Sequence, residues 1–169
     1  MSKKRLFFAL WPDHRQRDRM RDFISPVAKE IDGTIVDRHN WHVTLAFIGD
    51  FEERLIPSLH KAAAEIEVEP FRLRFDKLEF WPRPKVASLV SPNVPSELQA
   101  LVQQLNVVLL RAGILAEERT YRPHITVARR ARPFETIRLA QPAVTEWDSF
   151  RLIESVPEPG GVVYRELDQ

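Results

Sequence analysis

Trp41-His42-Val43-Thr44-Leu45-Ala46-Phe47-Ile48 is an apolar, β-branched run closed by Gly49-Asp50, and its centre, His-x-Thr-aliphatic, recurs at His124-Ile125-Thr126-Val127. The second copy follows Pro123 and continues into Ala128. Short apolar runs bounded by turn residues or proline read as strands, here over about 41–49 and 122–130. Side chains alternate along a strand, so His42 and Thr44 project together, Val43 and Leu45 project the other way, and His124 and Thr126 repeat the arrangement. Each strand therefore offers one imidazole beside one hydroxyl. A single His on such a strand is more often a structural residue than a catalyst. With five His in the chain, two copies of His-x-Thr arise by chance only about 1% of the time, which favours a repeated functional element.

Working outward, a strand is expected over 5–11, and Asp13 can cap a helix with Met20, Phe23, Ile24, Val27 and Ile31 at helical spacing. Pro26 should kink that helix or restart it at Ser25. After the first motif a helix is expected near 52–67, with Leu55, Ile56, Leu59, Ala63 and Ile66 on one face. The second half opens with extended segments from Phe71 to Trp81 and from Val86 to Val90, joined by Pro82-Arg83-Pro84-Lys85. Ser96-Glu97-Leu98-Gln99 has the form of a capping box. It opens a helix with Leu98, Leu101, Val102, Leu105, Val108 and Leu109 inside and Gly113 as its stop. Strands near 145–155 and 161–167 close the chain, separated by Pro157-Glu158-Pro159-Gly160-Gly161. With no low-complexity tract or linker between the two similar halves, residues 1–169 read as a single domain of two lobes.

The 169 residues, 44% of them hydrophobic, suit a globular protein with a substantial core. No cysteine is present, so disulfides and thiolate metal sites are excluded, and nothing points to an oxidising compartment. The basic-then-apolar start stops at Pro12-Asp13, too short for a signal peptide or a membrane span. A cytoplasmic protein with no membrane association is expected. The net charge of +1 excludes a polybasic coat for nucleic acid. Arg supplies most of the basic residues, however, and Arg119, Arg122, Arg129, Arg130 and Arg132 surround the second motif. Arginine grips phosphate with a planar fork and stacks on flat rings.

Two imidazoles facing one cleft can serve as general base and general acid, because a pKa near 6.5 lets one be neutral while the other is protonated. Two threonine hydroxyls beside them are donors for oxygens that gain negative charge. Displacement at phosphorus needs both sets. With acid and base supplied internally, neither metal nor cofactor is required. A three-histidine metal site from His39, His42 and His124 is the rival, but residues three apart on a strand face opposite ways and no acidic residue accompanies either motif. His14 and His60 read as surface residues of helices.

The chain resembles the 2H phosphoesterase superfamily, and within it the RNA 2′,3′-cyclic phosphodiesterase group also described as 2′-5′ RNA ligases. The resemblance is carried by Arg5-Leu6-Phe7-Phe8-Ala9-Leu10 as the opening strand, by the segments from His42 to Gly49 and from Arg122 to Arg129, and by Phe150-x-Leu152-x-x-Ser155 with Tyr164. It implies a bilobal α+β fold, with two antiparallel sheets related by a pseudo-twofold around a central groove and helices outside. It also implies opening of an RNA 2′,3′-cyclic phosphate end to a 2′-phosphate and, in some members, reversible ATP-independent 2′-5′ joining of tRNA halves.

Under the resemblance His42 is the general acid for the departing 3′ oxygen, His124 the general base for water, and Thr44 and Thr126 the phosphate-oxygen ligands. Phe47 and Arg129 are the expected stacking partners of the base. Strict alternation puts both on the face opposite the histidines, so this requires a bulge, a strand end or strong twist; otherwise Phe47 is a plain core aromatic. Tyr121 fits the position three before His124, while the proline-rich Trp81-Pro82-Arg83-Pro84 leaves groove width open. Two rival functions remain: a phosphodiesterase for another cyclic or 2′-5′ nucleotide, and a noncatalytic module that grips RNA ends. A monomer is expected.

Overall fold

The computed structural model describes residues 2–167. Met1, Asp168 and Gln169 of the expected single domain lie outside the described residues. Among the described residues nine strands form two wholly antiparallel sheets. The first contains β1 (Lys3–Leu10), β3 (Val43–Glu52), β8 (Arg151–Glu158) and β9 (Gly161–Glu166), in the order β3-β1-β8-β9. The second is ordered β2-β6-β5-β4-β7, from β2 (Thr34–Ile35), β4 (Phe71–Trp81), β5 (Val86–Val90), β6 (His124–Arg129) and β7 (Ile137–Trp147).

The two halves repeat one unit, a strand, a helix, and an antiparallel strand carrying the motif. In the first half it is β1, α1 (His14–Ala28) and β3; in the second it is β5, α3 (Ser96–Arg111) and β6. Each helix crosses to the other lobe. The α1 helix packs on β6 and β7, whereas α3 packs on β3 and on α2 (Ile56–Ala64). The chain crosses as well, because β2 joins the second sheet while β8 and β9 return to the first. One continuous core results, running from Leu6, Phe8 and Leu10 through Met20 and Leu45 to Leu73, Leu89, Leu105 and Ile125. The lobes share their apolar interior.

Several local expectations are corrected. The α1 helix starts at the expected Asp13 cap, whose carboxylate accepts from the Gln16 amide at 2.8 Å, but it runs through Pro26 without restarting. Proline this late removes only the bond to the Asp22 carbonyl, at an exposed position. The expected helix over 52–67 is shorter. Residues up to Glu52 belong to β3, Glu53–Leu55 form a 3₁₀ turn, and Pro57, lacking an N–H, fixes the α2 start at Ile56. Ser96 is the first residue of α3 rather than its cap, with no side-chain cap bond. Gly113 stops α3 as expected, with φ +85° and the Ile114 amide donating to the Leu109 carbonyl at 2.8 Å.

The single strand expected over 145–155 is two strands. Trp147 pairs with Phe71 in one sheet and Arg151 with Ala9 in the other, so residues 148–150 form the crossing between sheets. Residues 137–144 were not expected to be extended; they lie on the edge strand β7, where Pro142 is tolerated.

Candidate active site

β1 is apolar on both faces and so separates core from groove. Leu6, Phe8 and Leu10 enter the main core, while Phe7 and Ala9 form a small cluster on the groove side with Ile153, Trp11 and Tyr164. His42 lies against this cluster, 4.9 Å from Phe7 and 5.1 Å from Tyr164 between ring centroids. Its Nδ1 lies 2.7 Å from the Asn40 carbonyl and its Nε2 2.9 Å from Thr44 Oγ1. Because the carbonyl can only accept, Nδ1 carries the proton, and in the neutral ring Nε2 accepts from the threonine hydroxyl. His124 matches on the other lobe, with Nδ1 donating to the Arg122 carbonyl at 2.8 Å and the ring 4.4 Å from Trp81.

Both motif strands bulge at the same place. In β3, Ala9 pairs with Thr44 and Phe8 with Ala46, so Leu45 is the inserted residue. In β6, Ser88 pairs with Thr126 and Ala87 with Ala128, so Val127 is inserted. One extra residue reverses the alternation beyond it. Phe47 and Arg129, each three positions past its threonine, thereby return to the histidine face. Phe47 is 43% exposed, and Leu45 and Val127 are buried. The plain-core reading of Phe47 is thus set aside, and of a bulge, a strand end or strong twist it is a bulge that is present, in both copies.

The result is a groove of about 620 Å³ between the lobes, lined by His42, Thr44 and Phe47 from one and by His124, Thr126 and Arg129 from the other. All six expected site residues meet there. The wider arginine cluster divides. Arg129 donates across the groove to the Tyr164 hydroxyl at 2.9 Å, and Arg122 binds Glu79 at 2.9 Å with its guanidinium 4.9 Å from the Trp81 ring. Arg130 and Arg132 line a separate hollow with Lys85.

Residues not anticipated from sequence also shape the site. Asn40 clamps β9, donating to the Val162 carbonyl at 2.9 Å and accepting from the Tyr164 amide at 3.2 Å. Arg5 lies 5.1 Å over Phe47. Tyr121, noted in the sequence only for its position, donates to the Thr44 carbonyl at 2.9 Å and ties the loop before β6 to β3. None of these carries a local pattern; only the return of β9 to the first sheet brings Tyr164 to His42.

Electrostatics follow from this enclosure. Burial pushes His42 down to about 4, opposed by its bond to the Asn40 carbonyl and reinforced by His124 and Arg129. His124 is also lowered by burial, with the Arg122 carbonyl opposing and the Arg122 charge assisting. At neutral pH both imidazoles are therefore neutral. An anion seated between them would raise the proton affinity of both.

The three-histidine metal site does not form. His39 sits on a 3₁₀ turn, exposed and paired with Asp37 at 2.8 Å. Among the described residues no group of three or more His, Cys, Asp or Glu could hold a metal ion. His14 is exposed as expected, but His60 is half-buried, with its Nε2 covered and unpartnered among the described residues.

Two sheets meeting at paired, bulged His-x-Thr strands define a two-histidine phosphoesterase architecture, and residues 11–154 match the 2′-5′ RNA ligase superfamily. The chain belongs to that family. It is 30% identical, over 79% of its length and 76% of theirs, to the RNA 2′,3′-cyclic phosphodiesterase of Escherichia coli. The enzyme of that name from Archaeoglobus fulgidus is 26% identical over 96% of this chain and 97% of its own. The crystal structure of E. coli LigT complexed with 3′-AMP superposes with a TM-score of 0.86, at 29% identity, over 99% of this chain and 97% of that one. Among the described residues no helix is long and apolar enough to cross a membrane.

Proposed function

We propose that the protein is a hydrolase that opens RNA 2′,3′-cyclic phosphate ends to 2′-phosphates in the cytoplasm. The observation that carries this reading is the matched bulge after each threonine, which turns Phe47 and Arg129 to the face that already holds His42 with Thr44 and His124 with Thr126, so that all six line one groove. A module that merely gripped phosphate would have little use for two titratable rings at the point of contact. The relatives named RNA 2′,3′-cyclic phosphodiesterase and the LigT complex with 3′-AMP support the substrate class.

In this reading the cyclic phosphate sits between the histidines, Thr44 and Thr126 donate to its non-bridging oxygens, and the terminal base lies against Phe47 and Arg129. The phosphate monoanion raises the proton affinity of the imidazoles, so the pair takes up one proton with substrate. His42 delivers that proton to the departing 3′ oxygen, and neutral His124 takes one from the attacking water. The depression of His42 to about 4 makes it a weak base and, once it holds a proton, a ready acid. We assign the base to His124 because only it also borders a second opening from which a nucleophile can approach. With a 5′-hydroxyl in place of water, the same displacement joins two strands 2′-5′, tRNA halves among the candidate substrates.

The test is a short RNA ending in a 2′,3′-cyclic phosphate, incubated with the protein in EDTA. The wild type should make the 2′-phosphate, and His42→Ala and His124→Ala should make it at least about 10²-fold more slowly. A 3′-phosphate product, or activity abolished by the chelator, would overturn the reading.

A further inference from the structure

A second groove of about 590 Å³ adjoins the first and shares Thr44, Phe47 and His124 with it; His42 borders only the first. Its other walls include Trp81, Arg83, Asn106 of α3, and Arg119, Tyr121 and Arg122 from the loop before β6. The bond from Tyr121 to the Thr44 carbonyl ties its floor to both lobes. Arg122 is engaged by Glu79 and Trp81. Arg83 and Arg119 are exposed cations on its rim, against one acid, Glu117.

In-line displacement puts the attacking and leaving oxygens on opposite sides of phosphorus. If the nucleoside with its leaving 3′ oxygen fills the first groove, the attacking oxygen arrives on the His124 side, where the second groove opens. Water needs only a narrow entry. This groove has the volume of a small-molecule site, nearly equals the first, and carries cations suited to a phosphodiester backbone.

We propose that the second groove is an acceptor subsite for the 5′-hydroxyl end of an RNA strand, with Arg83 and Arg119 meeting that strand's first internucleotide phosphate. The subsite rests on the phosphodiesterase reading. In the step it serves, the 5′ O–H bond breaks with its proton passing to His124, and the O5′–P bond forms. The P–O3′ bond breaks, and the 3′ oxygen takes a proton from His42. The product is a 2′-5′ phosphodiester beside a free 3′-hydroxyl, with no oxidant, nucleotide triphosphate or other reactant consumed.

The experiment supplies a cyclic-phosphate RNA and an excess of 5′-hydroxyl RNA, and measures joined and hydrolysed products together, with 2′,3′-cyclic AMP hydrolysis assayed separately. Arg119→Ala removes a rim cation and Asn106→Phe fills the groove from α3. Each should cut joining by about tenfold or more while 2′,3′-cyclic AMP hydrolysis stays within about twofold. The proposal is overturned if joining is unchanged in both variants, if hydrolysis falls in step with joining, or if the wild type hydrolyses without joining at any acceptor concentration. A wild type that does not open the cyclic phosphate sinks the phosphodiesterase reading itself, and the subsite with it.

Discussion

His42 and His124 occupy the same place in the same motif, before the same bulge, yet their surroundings differ. His42 is enclosed by Phe7, Trp11 and Tyr164, and its Nε2 is held by its own threonine. His124 has one aromatic neighbour, Trp81, and among the described residues Thr126 makes no bond to its ring. The first lobe closes over its imidazole because β9 returns to pair with β8, bringing Tyr164 across. Among the described residues the second lobe has no such returning strand over His124, which stays open toward the second groove. The motif supplies two like groups; the neighbours make them unlike. Under the proposed mechanism, the division into acid and base comes from the packing around each motif, not from its four residues.

The largest effect should come from breaking that division. His42→Ala and His124→Ala should each lower kcat by about 10²- to 10⁴-fold, and the double variant should be little worse than either, because one step uses both groups. The roles separate with a cyclic substrate carrying sulfur at the 3′ position, a leaving group that needs no proton. It should restore His42→Ala and leave His124→Ala inactive. Rescue of His124→Ala instead would exchange the roles.

Next come the threonines. Removing a donor aimed at developing negative charge typically costs about 10²- to 10³-fold in kcat, so Thr44→Val and Thr126→Val should both fall in that range. The comparison sharpens in the pH profile of kcat/KM. Thr44→Val also releases the His42 Nε2 and should move one limb, whereas Thr126→Val should leave both limbs in place. Equal shifts in the two variants would mean that the difference between the motifs is not functional.

How much of this was legible beforehand follows from what is local. The motif strands, the Asp13 cap, the Gly113 stop and the inner face of α3 were legible because each is set by residues within a few positions. Leu98, Leu101, Leu105 and Leu109 are all buried as their spacing requires. That His42, Thr44, His124 and Thr126 meet in one groove was legible for the same reason, doubled by the repeat. Phe47 and Arg129 stood on the wrong face by alternation, because a bulge depends on the partner strand: Phe8 and Ala9 opposite Leu45, Ala87 and Ser88 opposite Val127. Asn40, Tyr164 and the crossing at 148–150 were not legible, since their roles arise when β8 and β9 rejoin the first sheet.

Substitutions at the stacking pair should cost less than those at the reacting groups and act on a different constant. Base stacking on a side chain is worth about 1–3 kcal/mol, so Phe47→Ala should raise KM for a cyclic-phosphate RNA by roughly 5- to 150-fold with kcat nearly kept. Arg129→Ala should do likewise and in addition release Tyr164, whose hydroxyl it holds. Phe47→Trp, which keeps a ring, should preserve KM. A kcat defect with unchanged KM in Phe47→Ala would place that ring in the chemistry instead.

The smallest effect tests the comparison without substrate. An imidazole whose pKa is lowered on folding must be neutral to stay buried, so its contribution to stability is full above the unfolded value near 6.5 and is lost as pH falls toward the folded value, about 4 for His42. Because the groove admits water, the loss should be about 1–2 kcal/mol rather than the full converted shift. That corresponds to a thermal midpoint lower by a few degrees. The melting temperature of the wild type should therefore drop between pH 6.5 and 4 more steeply than that of His42→Gln, which cannot take up the proton. His124, lowered by the same cause in a more open setting, should give a smaller difference when replaced by Gln. If the two Gln variants flatten the curve equally, the closing of the first lobe over its histidine has no energetic consequence, and the inequivalence of the pair must arise only when substrate is bound.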